Sequence, residues 1–197
     1  STQLVIKGII DAGGFNLKKF DAAEIISAQE HISYLKIHND GALIQPYVDM
    51  KNGEISLVFT GHTMSHGFLK VPAEDDFRSQ SFYGAHTYML PIHGTNHIPI
   101  LMAGKDISDY SIDSILDNVR TQHPQCHLTQ RHVLDAMRTG LKARYLLKGI
   151  LKRQGIAQPP FLRIDLVLYK GSWRLMEVEG IEPYVMTKGA DIFDLSA

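Results

Sequence analysis

RIDLVLYKGSWRLMEVEGIEP, residues 163–183, is the stretch on which the reading of this chain turns. Two β-rich runs flank Tyr169-Lys170-Gly171-Ser172, a combination that predicts an antiparallel hairpin closed at a Lys-Gly turn. Leu162, Ile164, Leu166 and Leu168 alternate with Arg163, Asp165 and Val167, while Leu175, Met176 and Val178 surround two glutamates. The hairpin should therefore be half-buried. Counting outward from the turn places Asp165 roughly opposite Glu177, and Glu177 and Glu179, two residues apart, share a face. Acidic residues on a free hairpin are usually solvated surface, but facing carboxylates destabilise a ladder unless a cation lies between them. Oxygen ligands gathered in this way suit Mg²⁺, which takes one or two carboxylates and fills its shell with water and substrate phosphates. A nucleotide is the companion this implies.

The rest of the composition sets bounds on that reading. A chain of 197 residues with 44% hydrophobic content can build a core as one domain or two small lobes. A net charge of −1 leaves no electrostatic footprint for nucleic acid. No run of 18 apolar residues predicts a membrane span, and STQLVIKGII lacks the plan of a signal peptide. One cysteine, Cys126, fits a reducing compartment, so a cytoplasmic location is expected.

Upstream, LVIKGII (residues 4–10) reads as a strand ended by a turn at Asp11-Ala12-Gly13-Gly14. Asp21 and Glu24 have capping-box spacing ahead of a helix whose apolar face would be Ile25, Ile26, Ala28 and Ile32. ALIQPYV (42–48) is a short strand that Pro46 confines to an edge, with a hinge beside it. EISLVFTGHTMSHGFLKV reads as two strands joined at Gly61-His62, and residues from about 89 to 110 show little periodicity. A short helix is predicted over 111–119. A longer one over 131–153 has Val133, Leu134, Met137, Leu141, Tyr145 and Leu151 near helical spacing. Its basic residues, among them Arg138, Lys142, Arg144 and Lys148, read as a solvated face or as an attractor for an acidic substrate.

Several cations could serve a phosphate. Lys7 sits within an apolar strand, where lysine needs a partner or an edge from which to reach water. Lys70 and Arg78 flank Glu74-Asp75-Asp76 and either pair with those acids or clamp a transferring phosphoryl group. Two histidine sets, His62 with His66 and His123 with His127 and His132, could be zinc ligands only if local structure aligned them, and scattered histidines are the simpler reading.

The blocks STQLVIKGIIDAGGFN, ALIQPYVDM, GEISLVFTGHTMSHGFLKVPAEDDFRSQSFYGA and FLRIDLVLYKGSWRLMEVEGIEPYVM resemble, in order, those of the ATP-grasp superfamily, and among them the glutathione synthetase-like carboxylate-amine ligases. The resemblance implies an α+β fold of antiparallel sheets with flanking helices in two small lobes. The first lobe would be incomplete (1–44), followed by a hinge (45–49) and a second lobe with the metal hairpin (50–197). It implies ATP as cofactor with Mg²⁺, or Mn²⁺ in its place, held by Asp165, Glu177 and Glu179. Relatives often carry asparagine at the last position, so Glu179 adds a charge. Lys7 would touch the α- and β-phosphates, Gln45, Pro46 and Tyr47 would line adenine, and Glu54 would approach the ribose. Lys70 and Arg78 would be the catalytic cations, with Gln80 and the Tyr83-Gly84 turn beside them.

The implied activity is ATP-dependent joining of a small-molecule or peptide carboxylate to an amine through an acyl-phosphate, with release of ADP. This sequence departs from the pattern in two ways. Gly8 stands where the subfamily usually has proline, and the chain starts at the strand that holds Lys7, whereas relatives carry a preceding domain and another lysine. A preceding domain, or a second copy in a homo-oligomer, is thus expected to complete the site. The other reading is a non-catalytic nucleotide-binding or scaffold module derived from this fold, and a phosphotransferase using the same hairpin is a third.

Overall fold

The computed structural model describes residues 3–9, 14–92, 101–102, 105–106 and 110–180. It divides into two compact units, Ser1–Asp49 and Met50–Ala197.

The first unit is a three-stranded antiparallel sheet covered on one face by a helix. Strands β1 (Leu4–Gly8) and β2 (Lys18–Phe20) precede helix α1 (Ile25–His38) and strand β3 (Ala42–Pro46), in the sheet order β2-β1-β3. Pro46 ends an edge strand, where its missing donor costs no ladder bond. The predicted turn at 11–13 lies outside the described residues. Ile6, Phe20 and Leu35 form the core of this unit, with Ala28, Ile32 and Ala42 against them. The helix begins later than its predicted cap. Glu24 occupies the N-cap, its carboxylate accepting from the Asp21 N–H at 2.7 Å, which is half of the expected capping box. Ala28 and Ile32 face the sheet as expected, but Ile25 and Ile26 are exposed, and His31 and Leu35 are buried in their stead.

The second unit is built on a five-stranded antiparallel sheet of order β10-β9-β4-β5-β6. β4 (Glu54–Thr60) and β5 (Thr63–Val71) meet at the expected Gly61-His62 turn. β6 (His86–Leu90), which the sequence reading did not mark as a strand, reaches at its end into the stretch from about 89 that shows little periodicity. A small ladder follows, β7 (Leu101–Met102) with β8 (Lys105–Asp106). Helices α2 (Ile112–Gln122) and α3 (Gln130–Arg153) then precede the hairpin of β9 (Phe161–Tyr169) and β10 (Ser172–Glu179). Lys170 and Gly171 both take positive φ, +50° and +74°, as a tight two-residue hairpin turn of matching twist requires.

One face of this sheet carries the core. Ile55, Leu57, Phe59, Leu69, Val71, Tyr88, Leu90, Leu162, Ile164 and Leu166 pack against Ile115, Leu116 and Val119 of α2 and Val133 and Ala136 of α3. The buried stripe of α3 differs from the predicted one. Val133, Ala136, Gly140 and Arg144 are buried, whereas Leu134, Leu141 and Tyr145 are 38%, 46% and 77% exposed. Close approach explains the choice of small residues: a Cβ on Gly140 would stand 2.3 Å from Leu57 Cδ1. Arg144 leaves the expected solvated basic face, donating to the Gly61 carbonyl and lying over the Phe59 ring at 4.9 Å. Trp173 ties the hairpin to α3 by donating from Nε1 to the His132 carbonyl at 2.8 Å.

Candidate functional site

With alternate residues of the second sheet committed to the core, the others meet on its opposite face. Residues directly across an antiparallel ladder share a face. Glu54 pairs with Lys70 and Val167, Ser56 with Asp165, and Val58 with Arg163, while Asp165 and Arg163 pair in turn with Glu177 and Glu179. The register that aligns the carboxylates depends on a bulge. Leu175 pairs with Leu166 and Glu177 with Asp165, so Met176 is the extra residue on its strand. A regular ladder without the bulge would set Met176 opposite Asp165 and send both glutamates to the core face, so the pairing expected from a rough count is reached only because the bulge supplies the missing residue.

The three carboxylates converge: ligand oxygens of Asp165, Glu177 and Glu179 all lie within 4.8 Å of one another. Asp165 is buried, Glu179 half-buried and Glu177 exposed, so the group opens outward through Glu177. Two cations stand among them. Lys70 Nζ pairs with Glu54 Oε1 and lies 3.7 Å from Asp165 Oδ2. Arg163 grips Asp165 with Nε at 2.9 Å from Oδ1 and Nη2 at 2.8 Å from Oδ2, and the same Nη2 reaches Glu179 Oε1 at 2.6 Å. The cations that relieve repulsion across the ladder are thus, in part, the protein's own. Sequence reasoning passed over Arg163, although its position, two residues before Asp165 on the same strand, puts it on the same face.

Burial and charge compete at each group. Burial pushes Asp165 up, but Lys70 and the Arg163 hydrogen bonds outweigh it and hold the carboxyl below its ordinary value. Burial raises Glu54 in spite of Lys70. Glu179 is also raised, by burial and by the neighbouring acids against the pull of Arg163. Burial would lower Lys70, yet Glu54 and Asp165 keep it above its usual value. Four carboxylates (Glu54, Asp165, Glu177, Glu179) against two cations leave two negative charges, and with three oxygen donors at one edge this set fits a divalent ion such as Mg²⁺.

The other predicted residues occupy several places. Glu54, expected near a ribose, is engaged by Lys70 and accepts from Ser79 Oγ at 3.3 Å. Arg78 pairs with Asp76, Nη2 to Oδ2 at 2.6 Å, and its guanidinium carbon lies 3.3 Å from the Tyr83 ring centroid. Of the two alternatives read from sequence, pairing with the acidic loop therefore holds for Arg78, while Lys70 pairs within the sheet. Gln80 keeps a buried Oε1 that accepts no hydrogen bond among the described residues. Lys7, Gln45, Pro46 and Tyr47 belong to the first unit. Lys7 and Gln45 share the sheet face opposite α1, and Lys7 is half-buried rather than enclosed. Tyr47 donates its N–H to the Gln3 carbonyl at 2.9 Å, and Lys19 Nζ lies 4.7 Å from its ring centroid.

The histidines do not assemble a metal site among the described residues. His123 caps the end of α2, and His132 closes a capping box with Thr129 at the start of α3, so no single helix aligns them. His66 is buried with Nδ1 2.9 Å from Ser65 Oγ. Cys126 is buried, and burial pushes its thiol up.

Comparison with known proteins agrees with this architecture. No protein-family model and no curated sequence matches the chain. Among solved structures, the chain is similar to D-cycloserine synthetase DcsG, with a TM-score of 0.54 and 17% identity over 92% of this chain and 48% of that one. It is also matched to a D-alanine–D-alanine ligase from Bacillus anthracis (TM-score 0.41, 16% identity, 91% and 44% coverage). A third match is the ATP-grasp ligase PsnB complexed with a phosphomimetic variant of its minimal precursor, Mg and ADP (0.42, 13%, 98% and 43%). The chain spans about half the length of the structures it matches. The α+β fold, with antiparallel sheets and flanking helices, is that of the ATP-grasp ligases. No helix among the described residues is long and apolar enough to cross a membrane.

Proposed function

We propose that the chain binds a magnesium nucleotide and serves an ADP-forming ligase reaction, in which ATP phosphorylates a substrate carboxylate and an amine then displaces phosphate. One observation carries this reading: the bulge-set convergence of Asp165, Glu177 and Glu179 beside buried Lys70, on the sheet face opposite the α2 and α3 core. Mg²⁺ held by these carboxylates would neutralise phosphoryl oxygens. Lys70, kept protonated by its acidic neighbours, would add charge stabilisation for the transferring group. Arg78 would join it on release from Asp76. In the first unit, Lys7 would meet the α- and β-phosphates, and the hinge at Gln45, Pro46 and Tyr47 would take adenine. We assign Glu54 to holding Lys70 in place rather than to the ribose. Such a site works by positioning and electrostatics, and the small-molecule or peptide substrates supply the reacting carboxylate and amine. Buried, reduced Cys126 takes no part and suits the cytoplasm.

The Arg78–Asp76 pair favours a second reading, a module that binds nucleotide without turning it over, because Arg78 would have to leave Asp76 before it could meet a phosphoryl group. Calorimetry with Mg-ATP tests the shared premise. Binding should occur at millimolar nucleotide or below and vanish in Asp165→Asn combined with Glu177→Gln; no binding, or binding that survives the double change, would sink both readings. Phosphate release that needs both a carboxylate and an amine then selects the ligase.

A further inference from the structure

The cluster holds a feature that metal binding alone does not call for, a guanidinium wedged between two of the three candidate ligands. Arg163 contacts both oxygens of Asp165, at 2.9 and 2.8 Å, and one oxygen of Glu179, at 2.6 Å. Whichever Asp165 oxygen a metal used, Arg163 would already be its partner. A bare divalent ion would therefore arrive beside a fixed positive charge and compete with it for the same lone pairs. Nor can Arg163 simply withdraw into water. Its side chain is 8% exposed and Asp165 is 2% exposed, and a guanidinium taken from its partners inside the protein keeps a large desolvation penalty. Phosphate oxygens can take the place of these two carboxylates, because they accept the two-pronged guanidinium as carboxylates do.

We propose that Arg163 is a positioning residue that acts through Asp165 and Glu179 as a resident counter-ion, withholding the metal site from a lone divalent cation and yielding it when a phosphate ligand arrives with the ion. This rests on the Mg-nucleotide reading above and adds to it an order of loading. Metal and phosphate binding are coupled through one side chain, and such coupling is reciprocal: each ligand tightens the other by the same factor. Glu179 is essential to the device, because its oxygen is the second anchor of Nη2 and a candidate metal ligand at the same time.

The test uses the full 197-residue chain, with Mn²⁺ as paramagnetic probe and inorganic pyrophosphate as phosphate ligand. Free and bound Mn²⁺ are read by electron paramagnetic resonance and fitted together with the Mn-pyrophosphate equilibrium. Pyrophosphate should tighten Mn²⁺ binding to the unaltered protein about tenfold or more, within the ordinary range of coupling between sites. Arg163→Met should bind Mn²⁺ alone more tightly than the unaltered protein and lose most of that coupling, and Arg163→Lys should restore part of it. A merely structural arginine would give the reverse, weaker Mn²⁺ binding in Arg163→Met with coupling unchanged, and that result overturns the proposal. Should Arg163→Met fail to fold, the unaltered protein still decides. The Arg163 Nε–H resonance in ¹⁵N spectra should hold its position with Mg²⁺ alone and shift with Mg²⁺ plus pyrophosphate; an equal shift with Mg²⁺ alone overturns the counter-ion role. Absence of Mn²⁺ binding under every condition removes the Mg-nucleotide reading as well, whereas uncoupled Mn²⁺ binding removes only the role of Arg163.

Discussion

Glu177 stands directly across the hairpin from Asp165 because Met176 is an extra residue in β10. The bulge changes which side chains share a face, since one residue of slip in a strand moves all that follow to the other side. Removing Met176 would leave Leu175 paired with Leu166 and Glu177 paired with Asp165 on a regular ladder. Deletion of Met176 should therefore keep Mn²⁺ affinity within a few-fold of the parent, whereas insertion of one alanine between Met176 and Glu177 should abolish binding. Titration of both variants by electron paramagnetic resonance separates the outcomes, and loss of binding in the deletion variant would refute this account of register.

The approach of α3 to the sheet makes a second prediction. A Cβ at residue 140 would meet Leu57 Cδ1 at 2.3 Å, and Leu57 is fully buried. Gly140→Ala should destabilise the second unit by about 1–3 kcal/mol, the range for overpacking a tight core, even though alanine favours helix. Urea unfolding followed by the fluorescence of Trp173, the single tryptophan, would report it. An unchanged midpoint would mean that the helix can shift at no cost.

Much of the second unit was legible because its turns are chemically marked. Gly61-His62 and Lys170-Gly171 bracket strands whose alternation is regular, and Ser111 begins α2 by accepting from the Ser114 N–H. What escaped reading was set by tertiary packing. Nothing in LMEVE announces that Met176 will be the residue left over, since no glycine marks it. On α3 the large residues Leu134, Leu141 and Tyr145 outweigh Ala136 and Gly140 in any periodicity, yet the sheet takes the small ones for closeness. The charged cluster was read by its acids alone. Arg163 was visible at the same two-residue spacing that joined Glu177 to Glu179, and its role as internal counter-charge emerges only with burial.

Lys70 and Glu54 form an ion pair between β5 and β4 at 14% and 7% side-chain exposure. Removing one partner strands the other, so Lys70→Met should cost about 3–5 kcal/mol. Replacing both, as Lys70→Met with Glu54→Leu, should recover much of that loss, because an apolar pair of similar volume carries no desolvation penalty. Asp165 would remain paired with Arg163 in the double variant. Denaturation midpoints of the two single variants and the double variant form the cycle, and a double variant less stable than either single one would refute the assignment.

Asp76 and Arg78 make the pH-dependent prediction. The Arg78 side-chain hydrogen bond, together with backbone N–H groups of Arg78 and Phe77, holds Asp76 below its ordinary 3.8. A depressed carboxyl pKa gives stability that is present above the unfolded value and is lost as pH falls through the folded one. The pair should thus contribute about 1 kcal/mol at neutral pH, as expected for a partly exposed contact, and nothing once pH is well below 3.8. Asp76→Asn should remove that increment at pH 7 and converge with the parent in acid. The same variant frees Arg78 from its carboxylate while leaving the Tyr83 ring beneath it. If Arg78 serves a phosphoryl group, Asp76→Asn should keep or raise Mg-ATP affinity in calorimetry while lowering the neutral-pH unfolding midpoint. Parallel loss of both would instead make the pair a scaffold for the loop that carries Ser79 to Glu54.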